Sequence, residues 1–298
     1  MNPIHLWYKF YAMLFAIFIL ITSALMQPSS NPVELGDVQW IRSLDAAQKE
    51  SAHSGKPILI LFQEIPGCAT CRNYGSQVLT NPLIVEAIET QFVPLAIHNN
   101  KKGADAEVLN LFSEPSWNNP VVRIVNEDLS AVSSRLNGDY TQAGLVNYMT
   151  SALIKAEGKA PGWLKLLNDE LNTSEENRKT AVYSMYCFWS GEAHFGRVNG
   201  VLATEAGFAN GKEVVKVTYN PSLISKSSLD KLAESGSCAF ESKVNGYRPD
   251  ATPQYYLANS KYAKVGMTAL QKSRVNSALK EGQDPSEFLS PRQLEGVK

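Results

Sequence analysis

Residues 57–62, Pro-Ile-Leu-Ile-Leu-Phe, form an unbroken apolar run that leads through Pro66-Gly67 into Cys68-Ala69-Thr70-Cys71. A solid apolar run this short reads as a strand covered on both faces, the pattern of a sheet with helices on either side. A helix reading follows from Arg72. The flanking segments agree with such a sheet. Residues 38–54 carry Trp40, Ile41, Leu44 and Ala47 at helical spacing and stop at Gly55. Asn81-Pro82 opens another helix, with an N-cap followed by proline at the first helical position. Residues 92–97, 121–125 and 131–136 read as further strands, Pro120 precedes the second of these, and residues 142–155 read as a closing helix.

The 298 residues suggest two domains. A net charge of −1 without any basic block argues against a nucleic-acid partner. Four cysteines, Cys68, Cys71, Cys187 and Cys238, are too few for a disulfide scaffold of this length and point to redox chemistry. His5, His53, His98 and His194 share no metal spacing, and no cofactor or metal is expected. A Cys-x-x-Cys can also be half of a zinc site, and that alternative stays open. At the N-terminus, residues 10–26 are uncharged and apolar, Lys9 precedes them, and no acid occurs before Glu34. This is the pattern of an export segment over residues 1–27, with Thr22-Ser23-Ala24 as a cleavage site. The run also approaches the length of a bilayer span. A cleaved signal and a retained inner-membrane anchor are both open. Either puts the remainder in the periplasm or another extracytoplasmic space, where thiol chemistry draws on an upstream thiol–disulfide electron donor.

The order strand, Cys-x-x-Cys, helix, strand, helix, proline, strand, turn, strand, helix resembles the thioredoxin family over residues 35–157. A cysteine at a helix N-terminus meets the positive end of the dipole and free N–H groups, which favours the thiolate. Cys71, one turn on, can resolve a mixed disulfide formed at Cys68. Pro120 matches the family's cis-proline. Two departures stand out: Gly67 occupies the family's usual tryptophan position, and Leu61-Phe62 stands where thioredoxin has a buried acid.

Residues 157–162, Glu-Gly-Lys-Ala-Pro-Gly, read as a domain boundary, and residues 163–171 as a helix packed on one of the domains. Beyond it, Cys187-Phe188-Trp189 with Glu192, residues 200–208, residues 213–221 ending in Tyr219-Asn220-Pro221, and Asp250 with Gln254-Tyr255 occur in order. Taken alone, a Cys-Phe-Trp is more often packing than chemistry. The four elements together resemble methionine sulfoxide reductase A. The resemblance implies that Cys187 attacks the sulfoxide sulfur, that Phe188 and Trp189 receive the methyl group, and that Glu213 supplies the proton to the departing oxygen. It assigns oxygen binding to Tyr255 and positioning to Asp250. The product is methionine and a Cys187 sulfenic acid. Gly211 runs almost directly into Glu213, so the family's intervening loop and its second tyrosine are missing. Residues 267–298 lack the family's resolving cysteines. Cys238, in a small-residue loop, is either a resolving thiol or a bystander.

The expected architecture is therefore α/β and α+β: a thioredoxin-like fold over residues 35–157, then a shortened α/β roll over residues 163–298 with a helical tail. The expected function is an exported peptide-methionine (S)-S-oxide reductase with its electron donor fused in cis. Its partners would be oxidised methionine in peptides or proteins and the upstream donor. The alternative is a thiol–disulfide oxidoreductase whose second domain only binds a peptide or partner.

Overall fold

Strand β1 (Ile58–Gln63) is buried at all six positions, because helices cover both faces of its sheet. The computed structural model describes residues 31–297. The run expected to be a signal or anchor lies outside the described residues. Among the described residues no helix is long and apolar enough to cross a membrane.

Helix α1 (Leu44–Ser54) precedes β1, capped by Ser43 and ended by Gly55 in the left-handed region at φ 72°. It starts later than the helical spacing suggests. Ile41 instead bridges Leu95 in parallel, its N–H donating to the Pro94 carbonyl at 2.8 Å; the β-branched residue extends the sheet edge and Ser43 opens the helix after it. After β1 come α2 (Ala69–Gln77), α3 (Pro82–Gln91), β2 (Val93–His98), α4 (Ala104–Leu111), β3 (Val121–Val125), β4 (Leu136–Asn137) and α5 (Gln142–Glu157). The sheet order is β2-β1-β3-β4. β2 lies parallel to β1, with Ile58 opposite Val93, and β3 antiparallel, with Ile58 opposite Val125. Leu59 and Leu61 face Ile84 and Ile88 of α3 and Met149 of α5. Ile58, Ile60 and Phe62 face Ala47, Val108 and Leu109. The strand expected over residues 131–136 is reduced to an Ala131–Val125 bridge and the two residues of β4. Arg135 there reaches Glu114, a buried carboxylate, at 2.6 Å.

Residues 157–162 do not act as a free linker between separate bodies. Gly158 caps α5 at φ 73°, and Ala160 is buried. Helix α6 (Gly162–Leu171) then serves both halves: Trp163, Leu164 and Leu167 complete the first core, while Leu166 packs with Leu202 and Leu270 of the second. The chain from Val33 onward forms one compact unit. A second tie joins the lobes. Buried Glu86 on α3 accepts the Ser290 hydroxyl at 2.6 Å and the Arg292 N–H at 2.7 Å.

The second lobe continues with β5 (Lys179–Ser184), α7 (Phe188–Gly196), β6 (Val201–Ala209), β7 (Lys212–Tyr219), α8 (Lys226–Ser235), β8 (Ala239–Phe240), β9 (Arg248–Pro249), α9 (Tyr255–Ala258), α10 (Ala269–Lys280) and α11 (Pro291–Glu295). Its five strands order as β8-β5-β7-β6-β9, every neighbouring pair antiparallel. Phe188 and Phe195 of α7 pack on Tyr183, Ala206, Val215 and Val217. Ala209 pairs with Lys212, so β6 and β7 are joined by Asn210-Gly211 alone, both at positive φ. This is the backbone of a two-residue hairpin turn. Buried Arg274 of α10 donates to the carbonyls of Gly196 and Val201 and so fastens the far end of α7.

Candidate active site

Two thiol centres emerge, one per lobe. In the first, Cys68 is the N-cap of α2, exposed, with its sulfur 3.6 Å from that of buried Cys71. Both thiols are free. The backbone N–H of Cys71 at the start of the helix is the main influence holding the Cys68 thiol below its ordinary range. Burial pushes Cys71 the other way, to about 12. The pair is thus an exposed nucleophile beside a thiol that keeps its proton.

Around the pair, the Cys71 thiol donates to Asn119 Oδ1 at 2.6 Å, and the Asn119–Pro120 peptide is cis. Fully buried Gln63 donates to the carbonyls of Cys71 at 3.1 Å and Glu34 at 2.8 Å. The Glu34 carboxylate accepts the Gly67 N–H at 2.8 Å. Any side chain at Gly67 would place its Cβ 2.5 Å from Cys71 Cβ and from the Glu64 carbonyl, so this backbone approach excludes the bulky residue usual there in the resembled family. A carboxylate oxygen of Glu64 and the two sulfurs lie within 4.8 Å of one another. These are three donors of the kind that zinc takes, and His98 is not among them.

In the second centre, Cys187 is the N-cap of α7, half-buried. Ser190 Oγ lies 3.6 Å from its sulfur. Glu213, from the start of β7, accepts the Phe188 N–H on its carboxylate at 3.0 Å, and its carbonyl accepts the Met185 N–H at 3.2 Å. The carboxylate therefore sits at the start of α7, next to the cysteine. Trp189 donates its indole N–H to Asp250 at 3.0 Å and stacks on Tyr255, with ring centroids 4.1 Å apart. Phe188 meets Trp189 at 5.4 Å and Phe208 at 5.1 Å. Consecutive Cys187, Phe188 and Trp189 are thus linked through contiguous contacts to Glu213, Asp250 and Tyr255, which are distant in sequence. Cys187 also lines a cleft of about 320 Å³ with Tyr186, Ser190, His194, Ser237 and Lys280. A larger cleft, about 920 Å³ between the lobes, is lined by residues such as Pro82, Leu167 and Arg292 and includes none of the four cysteines.

Cys238 is buried among Leu229, Ala233 and Tyr183. Its thiol donates to the Gly236 carbonyl at 3.4 Å, and burial pushes it up to about 11. The residues just before it, Gly236 and Ser237, line the Cys187 cleft, whereas Cys238 itself does not.

Glu192 carries more of the site than its place in a motif suggests. Its carboxylate is fully buried and accepts the N–H of Ala206 at 2.9 Å and of Gln254 at 2.8 Å. Gln254 sits in the left-handed region at φ 55° and caps the helix that starts with Tyr255. One side chain of the Cys187 helix therefore ties down the Tyr255 loop. Burial raises Glu192 to about 7 despite these N–H donors. Sequence reasoning also missed Asn119, Glu64 and Phe208, and only the adjacency of Asn119 to Pro120 offered a signal.

A thioredoxin-like family model matches residues 39–127. The peptide methionine sulfoxide reductase MsrA of Methanococcus maripaludis is 37% identical over 70 residues, 18% of this chain and 45% of that protein. The mitochondrial peptide methionine sulfoxide reductase of Rattus norvegicus is 27% identical over 172 residues, 49% of this chain and 69% of that protein. Among solved structures, a thioredoxin from Thermus thermophilus is 18% identical, covering 41% of this chain and 91% of that one at a TM-score of 0.35. The chain spans about half the length of the first of these curated relatives. It thus combines a thioredoxin-like domain with relatedness to the peptide methionine sulfoxide reductases.

Proposed function

We propose that this chain reduces methionine sulfoxide in peptides or proteins, with Cys187 as nucleophile and the Cys68–Cys71 dithiol as the source of electrons. The observation that carries this is the Glu213 carboxylate bonded at the N–H of Phe188, beside the cysteine and next to the Phe188–Trp189–Tyr255 aromatic cluster. The Cys187 thiolate attacks the sulfoxide sulfur, Glu213 delivers a proton to the oxygen, and Tyr255 bonds that oxygen. Methionine leaves and Cys187 becomes a sulfenic acid. The Cys68 thiolate then attacks the sulfenic sulfur and expels water, and Cys71 resolves the mixed disulfide to return Cys187 to its thiol. Action outside the cytoplasm belongs to the same proposal and is supported by the apolar run at residues 10–26.

The contacts described for Cys68 lie within the first lobe, and every residue lining the Cys187 cleft belongs to the second. The lobes share α6 and the Glu86 tie. Electron transfer therefore joins the two lobes, within one chain or between two chains, and the two routes differ in concentration dependence.

Turnover of an S-epimer methionine sulfoxide peptide by the full chain with dithiothreitol tests the reading. Methionine should form, and Cys187→Ser should abolish it. One observation favours a second reading. The Asn210-Gly211 turn leaves no room for the loop that carries a second tyrosine in the resembled family, which suits a module that binds without turning over. Saturable binding of the peptide without methionine formation would select that alternative.

A further inference from the structure

We propose that Glu64 is the general base that takes the proton from Cys71 when Cys71 resolves a mixed disulfide at Cys68. The inference rests on the redox reading of this dithiol. Resolution needs the Cys71 thiolate, yet the surroundings hold the thiol form. Cys71 is buried, its S–H donates to Asn119 Oδ1 at 2.6 Å, and burial raises it to about 12. A thiol held this way requires a nearby acceptor for its proton.

The strand beneath the pair supplies none. Fully buried Gln63 is an amide, and it is engaged with the Cys71 and Glu34 carbonyls. Leu61 and Phe62 are hydrocarbon. Glu34 is turned to the Gly67 N–H. Glu64, the next residue after β1, brings a carboxylate oxygen to within 4.8 Å of both sulfurs, and among the described residues no other carboxylate joins that group. One bridging water spans such a gap. The backbone of Glu64 also acts on the Cys71 sulfur and favours its thiolate. The residue thus addresses the same atom twice, once to stabilise its charge and once to receive its proton.

In this step the Cys71 S–H proton passes to the Glu64 carboxylate, directly or through one water. The Cys71 thiolate attacks the Cys68 sulfur of the mixed disulfide. The Cys68–Cys71 bond forms, the bond from Cys68 to the partner sulfur breaks, and the electron pair leaves with the partner thiolate. That thiolate then takes up a proton.

Reduced full-length protein mixed with oxidised glutathione, quenched with acid and read by mass, separates formation of the Cys68–glutathione adduct from its resolution. Glu64→Gln is expected to slow resolution by roughly 10²–10⁴-fold near neutral pH, with adduct formation no slower. The variant's resolution rate should climb with pH as hydroxide replaces the lost base, and Glu64→Asp should recover some of the loss. Equal resolution rates in wild type and Glu64→Gln across pH would overturn the proposal while leaving the dithiol intact. An adduct that persists in the wild type as well would show that the dithiol does not resolve at all, and the redox reading would fall first.

Discussion

Glu192→Gln should change how stability depends on pH, in a direction fixed by burial. In the fold the Glu192 carboxyl keeps its proton up to about 7, against an ordinary value of 4.5, because desolvation outweighs its backbone N–H donors. The folded chain therefore binds this proton more tightly than the unfolded chain does. The resulting stabilisation is full below 4.5 and is lost as pH rises through about 7. Integrating between about pH 5 and pH 8 gives a loss of roughly 2.5 kcal/mol from this one group. A glutamine does not titrate. It keeps one acceptor but turns an NH₂ group toward the second N–H, a pH-independent cost of about 1–3 kcal/mol. Urea unfolding of wild type and variant across this range cancels the contributions of all other groups. The advantage of the wild type should shrink by roughly 2.5 kcal/mol from the acid to the alkaline end. A constant gap would refute the desolvation argument. A gap that widens with pH would mean that the Ala206 and Gln254 N–H groups dominate and hold the carboxylate ionised.

Glu213→Gln can still accept the Phe188 N–H, so the site should keep its shape. Single-turnover methionine formation should nonetheless fall by roughly 10²–10⁴-fold; an unchanged rate would remove Glu213 as proton donor. Cys68 and Cys71, with sulfurs 3.6 Å apart as thiols, should form a reversible disulfide, read by mass after alkylation with and without mild reduction; stoichiometric zinc in the purified protein would instead support a metal site. Cys238→Ser should turn over like the wild type, because the thiol is buried and raised to about 11; accumulation of trappable Cys187 sulfenic acid in that variant would make Cys238 the resolving thiol. Glu86→Ala should cost roughly 2–4 kcal/mol of stability by stranding the Ser290 hydroxyl and the Arg292 N–H, seen as a lower urea midpoint and faster proteolysis near α11.

The features legible in the sequence are local ones. The solid run at residues 57–62 and the cysteine pair after it describe β1 and the start of α2, because burial on both faces and a helix N-terminus are properties of neighbouring residues. Ile41 has helical spacing but pairs in the sheet, because its partner, Leu95, lies far along the chain. The breakers at residues 157–162 suggest a linker, but Gly158 serves as a helix cap. Neighbouring apolar positions on α6 bind the two cores together, Trp163 and Leu167 packing in one and Leu166 in the other. In the second lobe the ordered motifs pick out Cys187, Glu213, Asp250 and Tyr255. Glu192 reads only as one letter of a motif, since its partners are backbone N–H groups of residues 206 and 254, which no side-chain pattern reveals. Asn119 and Glu64 become visible only once β1 and the Pro120 loop converge on Cys71.

The most direct test is the yield of methionine from fully reduced protein when no external reductant is present. Each methionine formed consumes one pair of electrons. Cys187 supplies one pair on becoming a sulfenic acid, and the Cys68–Cys71 dithiol can supply a second. The wild type should therefore give about two methionines per chain from an S-epimer methionine sulfoxide peptide. Cys68→Ser combined with Cys71→Ser should give about one, and Cys187→Ser none. A wild-type yield of zero would contradict the proposed reductase, and a yield of about one in both wild type and the double variant would contradict the proposed electron donor.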